Sequence, residues 1–341
     1  MARSTAAQGV QIGREATAGT PVPADKRLGS LGVMLSTQVE SDAFRPKGVK
    51  YPTVVTANKE WAGGDLEGTP TYDELVYPLS SVFTAATVSQ IMAGDTATGA
   101  YEWLFSPAST GADAPVTYTV EAGDATQAER MAHGLVTDFD LDISRSEIKL
   151  GGSMIGQRLE QGVTLTANPT AVAEDLVPIL PGQVCIYVAD DRAGLEDRAT
   201  SRQGTALSVH PQIGGRFEPV WYLNCVLDSF ATYVEAPEPD FTLDYLVEAN
   251  ANGMAWLDRF RTGQTQHVRI EATGPVIYPG TDPTTAVRYL LQWDFAVKTL
   301  EPGEKSDEDG VYAIAPALQV VHDPSWGRAS QVRVINTVAA L

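Results

Sequence analysis

Cysteine is nearly absent: the 341 residues contain two, Cys185 and Cys225. Two thiols cannot build the disulfide framework of a small secreted domain. Each sits among apolar neighbours, "QVCIYV" and "YLNCVL", which predicts buried thiols in a chain made in a reducing cytoplasm. The four histidines, His133, His210, His267 and His322, occur singly and without zinc-ligand spacing. There is no GxSxG, no phosphate-binding GxxxxGK(S/T), and no GxGxxG between a strand and a helix. No run approaches the roughly 18 apolar residues of a spanning helix. The opening stretch "MARSTAAQGVQIGREATAGTPVPADK" has no apolar core of the signal-peptide kind. Positive charge is scarce as well. There are 24 Lys+Arg against 43 Asp+Glu, a formal net charge of −19. That balance argues against a general nucleic-acid binder and against docking on an anionic membrane, since both need clustered cations. It suits a wall past which nucleic acid moves without sticking.

What the chain does have is period-two alternation. In "VTDFDLDISRSEIKLGG" (136 to 152), Thr137, Phe139, Leu141 and Ile143 share one face and Asp138, Asp140 and Asp142 the other. "SRSE" makes a turn, and Ile148, Leu150 and Met154 return on the apolar side opposite Glu147, Lys149 and Ser153. The second half repeats this grammar: Phe241 to Val247, Val268 to Ala272, Val287 to Val297, Tyr312 to Val320, and Val332 with Val334. Strands joined by short Gly/Pro/Asp turns predict a mainly β protein of two packed antiparallel sheets. One segment has helical spacing. "NANGMAWLDRFRTG" carries Met254, Leu257 and Phe260 on one stripe, with Asn252 as N-cap and Gly263 as the closing residue, predicting a flanking helix over about 250–262. A second, shorter helix is expected in "TYDELVYPLSSVFTA", broken near Pro78. Residues 1–30 read as an N-terminal arm and 31–130 as an elaborated N-terminal part with an inter-subunit loop. Residues 131–341 read as the main sandwich, the whole being one composite domain.

Three carboxylates at alternate positions invite a metal reading. On a straight strand they lie about 7 Å apart, too far for one ion without other ligands. The solvated strand face is the better reading. "KSDEDG" (305 to 310) places its glycine wrongly for a calcium loop and reads as a wet hairpin tip. "ADDRAGLEDR" (189 to 198) reads as a charged loop. No catalytic group, metal or cofactor is expected, and the protein is not expected to be an enzyme.

Several stretches together resemble the tail tube (major tail) proteins of tailed bacteriophages. The opening Gly13-x-Glu15-x-x-x-Gly19-Thr20-x-Val22 is similar to the family's signature. "YDELVYPLSSVF" (72 to 83), "VTYTVEAGD" (116 to 124), "HGLVTDFDLDISRSEIKLGGSMIGQRL" (133 to 159) and "GVYAIAPALQVVHDPSWGRASQVRVIN" (310 to 336) follow in the family's order. The resemblance implies a tail-tube β-sandwich whose inner sheets join between protomers into a ring barrel. About six protomers form a ring, and rings stack into a hollow conduit. The implied partners are the chain itself, tape-measure protein and DNA in the lumen, and tail terminator and distal tail or baseplate proteins. The implied location is the virion tail, assembled in the host cytoplasm. On this reading Asp138, Asp140, Asp142, Glu147 and Lys149 are candidates to face the lumen. Val49, Tyr51, Val54 and Trp61 are candidates for contacts between subunits, because their segment has too little periodicity to bury them alone. The alternatives are another ring-forming tail protein, a terminator or baseplate component, or a β-rich binding protein or enzyme. Abundance separates the first. Clustered aromatics or convergent acids would mark the second, and the six tryptophans are dispersed instead.

Overall fold

The computed structural model describes residues 8–124, 126–167, 172–225, 229–280 and 285–341. In chain order the first strands are β1 (Gly9–Arg14), β2 (Lys26–Leu28), β3 (Leu31–Phe44) and β4 (Val54–Gly68), then α1 (Val76–Val82). β5 (Thr87–Ala93), β6 (Thr96–Phe105), β7 (Tyr118–Gly123), β8 (Ala128–Ser144), β9 (Ile148–Gly156), β10 (Glu160–Val163) and β11 (Val172–Ala173) follow. Next come β12 (Val184–Ala189), β13 (Ala206–Gly214), β14 (Phe217–Val220), β15 (Thr232–Glu235), β16 (Asp240–Glu248) and α2 (Ala251–Thr262). The chain ends with β17 (Gln266–Tyr278), β18 (Val287–Glu308), β19 (Val311–Val320) and β20 (Ser330–Asn336). Strand makes up 57% and helix 8%, so the fold is mainly β, as the alternation predicts.

The sheet organisation departs from two separate layers. Eighteen strands form one hydrogen-bonded network, and β14 with β15 forms a small second sheet. Two strands cause the continuity. β8 has 17 residues and β18 has 22, longer than a single layer needs. β8 pairs with β7 and β10 up to Gly134 and with β9, then also β13, from Leu135 onward, with a bulge between Val136 and Asp138. β18 lies between β17 and β20 over its first half. Beyond bulges near Thr299 and Glu301 it pairs with β19 alone. Bulges bend a strand and let it change neighbours.

Folded back in this way, the sheet buries its apolar side against itself. Trp293 on β18 is the hub. Its ring meets Phe83 after α1 at 5.9 Å, Phe139 on β8 at 6.0 Å, Phe241 on β16 at 6.3 Å and Phe295 at 4.9 Å. Its indole N–H donates to Ser330 Oγ at 2.8 Å, so the one polar atom of this buried ring is satisfied. α1 is buried along its whole length, with Pro78 in its first turn where no amide is missed, so the proline does not break it.

Four expectations are corrected. From Gly9 the supposed arm is structured: β1 pairs with both β2 and β7 and buries Ile12, while residues 1–7 lie outside the described residues. The helix cap is Asn250, whose side chain accepts from the amides of Asn252 and Gly253. Its buried face is Gly253 and Trp256, whereas Phe260 is exposed. Cys185 is half-buried and Cys225 exposed, both as free thiols. The "ADDRAGLEDR" segment is more than a charged loop. It straps the outer face of β17 and β18, where Arg269 is fully buried and donates to Asp294 at 2.6 Å and to Glu196 at 2.9 Å. Arg269 and Arg192 hold the Glu196 carboxyl down at about 2.

Candidate functional surfaces

The Asp138/Asp140/Asp142 ladder sits in the middle of a long antiparallel run: β3, β4, β9, β8, β13, β16, β19 and the second half of β18. Phe139, Leu141 and Ile143 point into the core, so period two turns the carboxylates outward. The register brings polar residues of neighbouring strands beside them. Asp138 lies opposite Ser153, Asp140 lies between Gly151 and Gln212, and Asp142 lies opposite Lys149. Beyond β9, Asp65 and Glu67 of β4 pair with Ser153 and Gly151, and beyond β13, Asp244 of β16 pairs with His210.

The three aspartates are not equivalent. Asp138 is tied into the backbone: it accepts from the Gly215 amide at 2.8 Å, from Thr137 Oγ1 at 2.8 Å, and from Ser153 Oγ. Asp140 meets His210 Nε2 at 3.2 Å, and Gln212 bridges His210 Nδ1 (2.8 Å) to Asp244 (3.0 Å). Its carboxylate leans over β9, where a Cβ on Gly151 would come within 2.6 Å of Asp140 Oδ1. A side chain at Gly151 would have to displace the Asp140 carboxylate. Lys149 pairs with Glu147 at 2.7 Å, and the Glu147 carboxylate holds the amine above its ordinary value. Among the described residues no three His, Cys, Asp or Glu side chains gather as a ligand set.

All five candidates therefore share one polar, mostly acidic face. Sequence reasoning missed Asp65, Glu67 and His210 on it. The signal was there: Asp65 and Glu67 flank Leu66, and His210 and Gln212 alternate with Val209 and Ile213. Short runs containing glycine or proline hid the period.

The second surface is the β3–β4 ribbon. The segment expected as a loop is a regular hairpin of 14- and 15-residue strands. Its cross-strand pairs continue past Thr37 and Ala62, where β9 ends, so the distal ribbon stands clear of the sheet. Val49, Tyr51 and Val54 are exposed there, as are Val39, Phe44 and Val55, with Tyr51 and Val55 each at 67%. Trp61 differs: it is half-buried and packs edge-on against Trp221 at 5.9 Å within the chain. A groove of about 940 Å³ lies at the ribbon's base. Its charged residues are already engaged, Arg158 with Glu60 at 3.4 Å and Glu160 with Arg130. Comparison with known proteins gives no matching family model and no matching curated relative.

Proposed function

We propose that this chain is the repeating structural subunit of a bacteriophage tail tube. About six copies close a ring, and rings stack into a hollow conduit for the tape-measure protein and then DNA. Terminator and baseplate-type proteins cap its ends, and the tube belongs to the virion after assembly in the host cytoplasm. The observation that carries the reading is the eight-strand run. Over its middle strands one face is buried apolar core and the other an open carboxylate-rich surface, and among the described residues both outer strands are unpaired over long stretches. These are β3 and the second half of β18. Free edges of this length template association, and a ring that joins β3 of one copy to β18 of the next removes both. The acidic face then lines the lumen, where carboxylates repel phosphate. The ordered set of family-like stretches, from Gly13-x-Glu15 to the ending, supports the same reading.

The test is direct. Purified protein, concentrated and examined by negative stain, is expected to give long hollow filaments of uniform width. A protein that stays monomeric in light scattering at all concentrations, or forms only closed discs, removes the tube reading.

A further inference from the structure

The two ribbons at the edges of the eight-strand run carry opposite charge and point opposite ways. Every pairing in the run is antiparallel, so direction alternates from strand to strand. Counting from β3, the β3–β4 turn closes at one end of the sheet. β18 is eighth and runs against β3, so the β18–β19 turn closes at the other end. The β3–β4 tip carries Arg45, Lys47 and Lys50, all exposed, with no acidic residue between Ala43 and Thr56. None of the three has an ion-pair partner among the described residues. In a chain of net charge −19 this is an unusual concentration of cations without carboxylate partners, with Lys50 over the Tyr51 ring at 5.7 Å. The β18–β19 tip carries Glu304, Asp307, Glu308 and Asp309, exposed, with Lys305 stacked over Tyr312 at 5.7 Å as the cation among them. Exposed Val49 and Tyr51 flank the first tip and exposed Val311 and Tyr312 the second.

We infer that the basic β3–β4 tip of one copy docks on the acidic β18–β19 tip of a second copy placed beyond it along the strand direction. The contact is heterologous: it joins the cationic end of one molecule to the anionic end of the next and leaves the same pair of ends free. Repetition gives a polar stack without a closing point. The ribbon projects about seven residues past β9, roughly 20 Å at strand rise, which gives the basic tip its reach. Opposite charge sets the polarity of the stack, because a reversed copy would face like with like. The exposed apolar residues beside each tip supply area once the charges meet. The inference rests on the tube reading for the identity of the partner, a second copy, and specifies the axial contact that this reading leaves open.

Two charge-reversed proteins test it. One carries Arg45→Glu, Lys47→Glu and Lys50→Glu. The other carries Glu304→Lys, Glu308→Lys and Asp309→Asn, leaving Asp307, which accepts from the Gly310 amide and holds the turn. Each alone is expected to pellet about tenfold less than the parent at low salt, where screening is weakest. Mixed, they are expected to co-assemble in alternation, because each then presents the charge the other needs. A folding defect cannot be cured by mixing, so restoration reads the contact itself. Either variant stacking like the parent, or a mixture that stays dispersed, overturns the inference. So does a basic tip whose only charge-dependent interaction is retention of a DNA duplex. Hollow parent tubes that ignore the reversals leave the tube reading standing and remove the tip contact. Solid or single-file parent filaments that obey the mixing rule do the opposite.

Discussion

Glu15 shows what a spacing in the sequence means physically. Its carboxylate is buried and accepts from four donors: the Gly19 amide at 2.8 Å, Thr117 Oγ1 and Thr119 Oγ1 at 3.0 Å, and the His133 amide at 2.8 Å. Gly19 has a φ of 80°, which glycine adopts freely, and His133 a φ of 57°, which is costly for a residue with a side chain, so one carboxylate fixes two left-handed backbone positions, one of them strained. A Cβ on Gly13 would meet Pro23 O at 2.6 Å. The glycines and the glutamate of the opening motif were legible as a pattern. The distant partners of the glutamate, Thr117, Thr119 and His133, were not, because they lie more than 100 residues away, at the start of β7 and on β8. Glu15→Ala is expected to cost about 2–4 kcal/mol in urea unfolding, since it strands several buried donors. For the same reason removal of residues 1–30 is expected to damage the fold, where an arm would have been dispensable. Asp73 is a second buried carboxyl. Thr337 donates to its Oδ1 through both amide (3.1 Å) and hydroxyl (3.0 Å), yet burial raises its pKa to about 6. A raised acid favours the fold below the unfolded pKa near 4, and that contribution is lost as pH climbs through about 6. Asp73→Asn keeps an acceptor for Thr337 and never ionises. It is expected to match the parent at pH 4 and exceed it by about 1–3 kcal/mol at pH 7.5, read by denaturant midpoint. Equal differences at both pH values would show that ionisation of Asp73 is not the cause.

Among the elements, strands were legible where alternation was uninterrupted, and the β8–β9 hairpin lies where period two placed it. The β3–β4 ribbon was not legible, because its distal half faces water on both sides and so has no inward period to read. Helix α2 was legible as a helix but not in its facing. Met254, Leu257 and Phe260 make a plausible stripe. Met254 does pack in part against the core, but the fully buried positions are Gly253, whose Cβ would clash with Glu248 O at 2.2 Å, and Trp256, which meets Tyr245 at 5.8 Å. Arg259 then covers the Trp256 ring with its guanidinium, 4.6 Å from the centroid. Trp256→Ala is expected to cost about 3–5 kcal/mol, the range for emptying a buried indole site. Phe260→Ala, at a side chain 41% exposed, is expected to cost less than about 1 kcal/mol. Thermal unfolding of the two variants side by side checks the facing, and the reverse order would restore the stripe seen in the sequence.

At the scale of the whole molecule, the acidic balance becomes a property of one surface. Asp65, Glu67, Asp140, Asp142 and Asp244 lie on every second strand of the run, β4, β8 and β16, on the same outward face, which composition alone does not place. On the tube reading that face is the lumen wall, and its work is to bind nothing. Asp138 is the wrong residue to alter in testing this, because it holds the Gly215 amide and the Ser153 hydroxyl and its loss would disturb the sheet. Asp140 and Asp142 have no backbone role, and their side chains stand half in water. Replacing both with Lys shifts the charge by about four units per protomer, multiplied by the ring, and is expected to leave folding within about 0.5 kcal/mol per site. The Asn pair removes charge without adding cations and separates lost repulsion from gained attraction. Tubes carrying the Lys pair are expected to retain DNA or release it slowly at low ionic strength. The defect should fade as salt screens the phosphate contacts, and the Asn pair should fall between the Lys pair and the parent. Release from Lys tubes at the parental rate in low salt would mean that these carboxylates do not face the passage, and the β8 wall would then belong to the outside of the assembly.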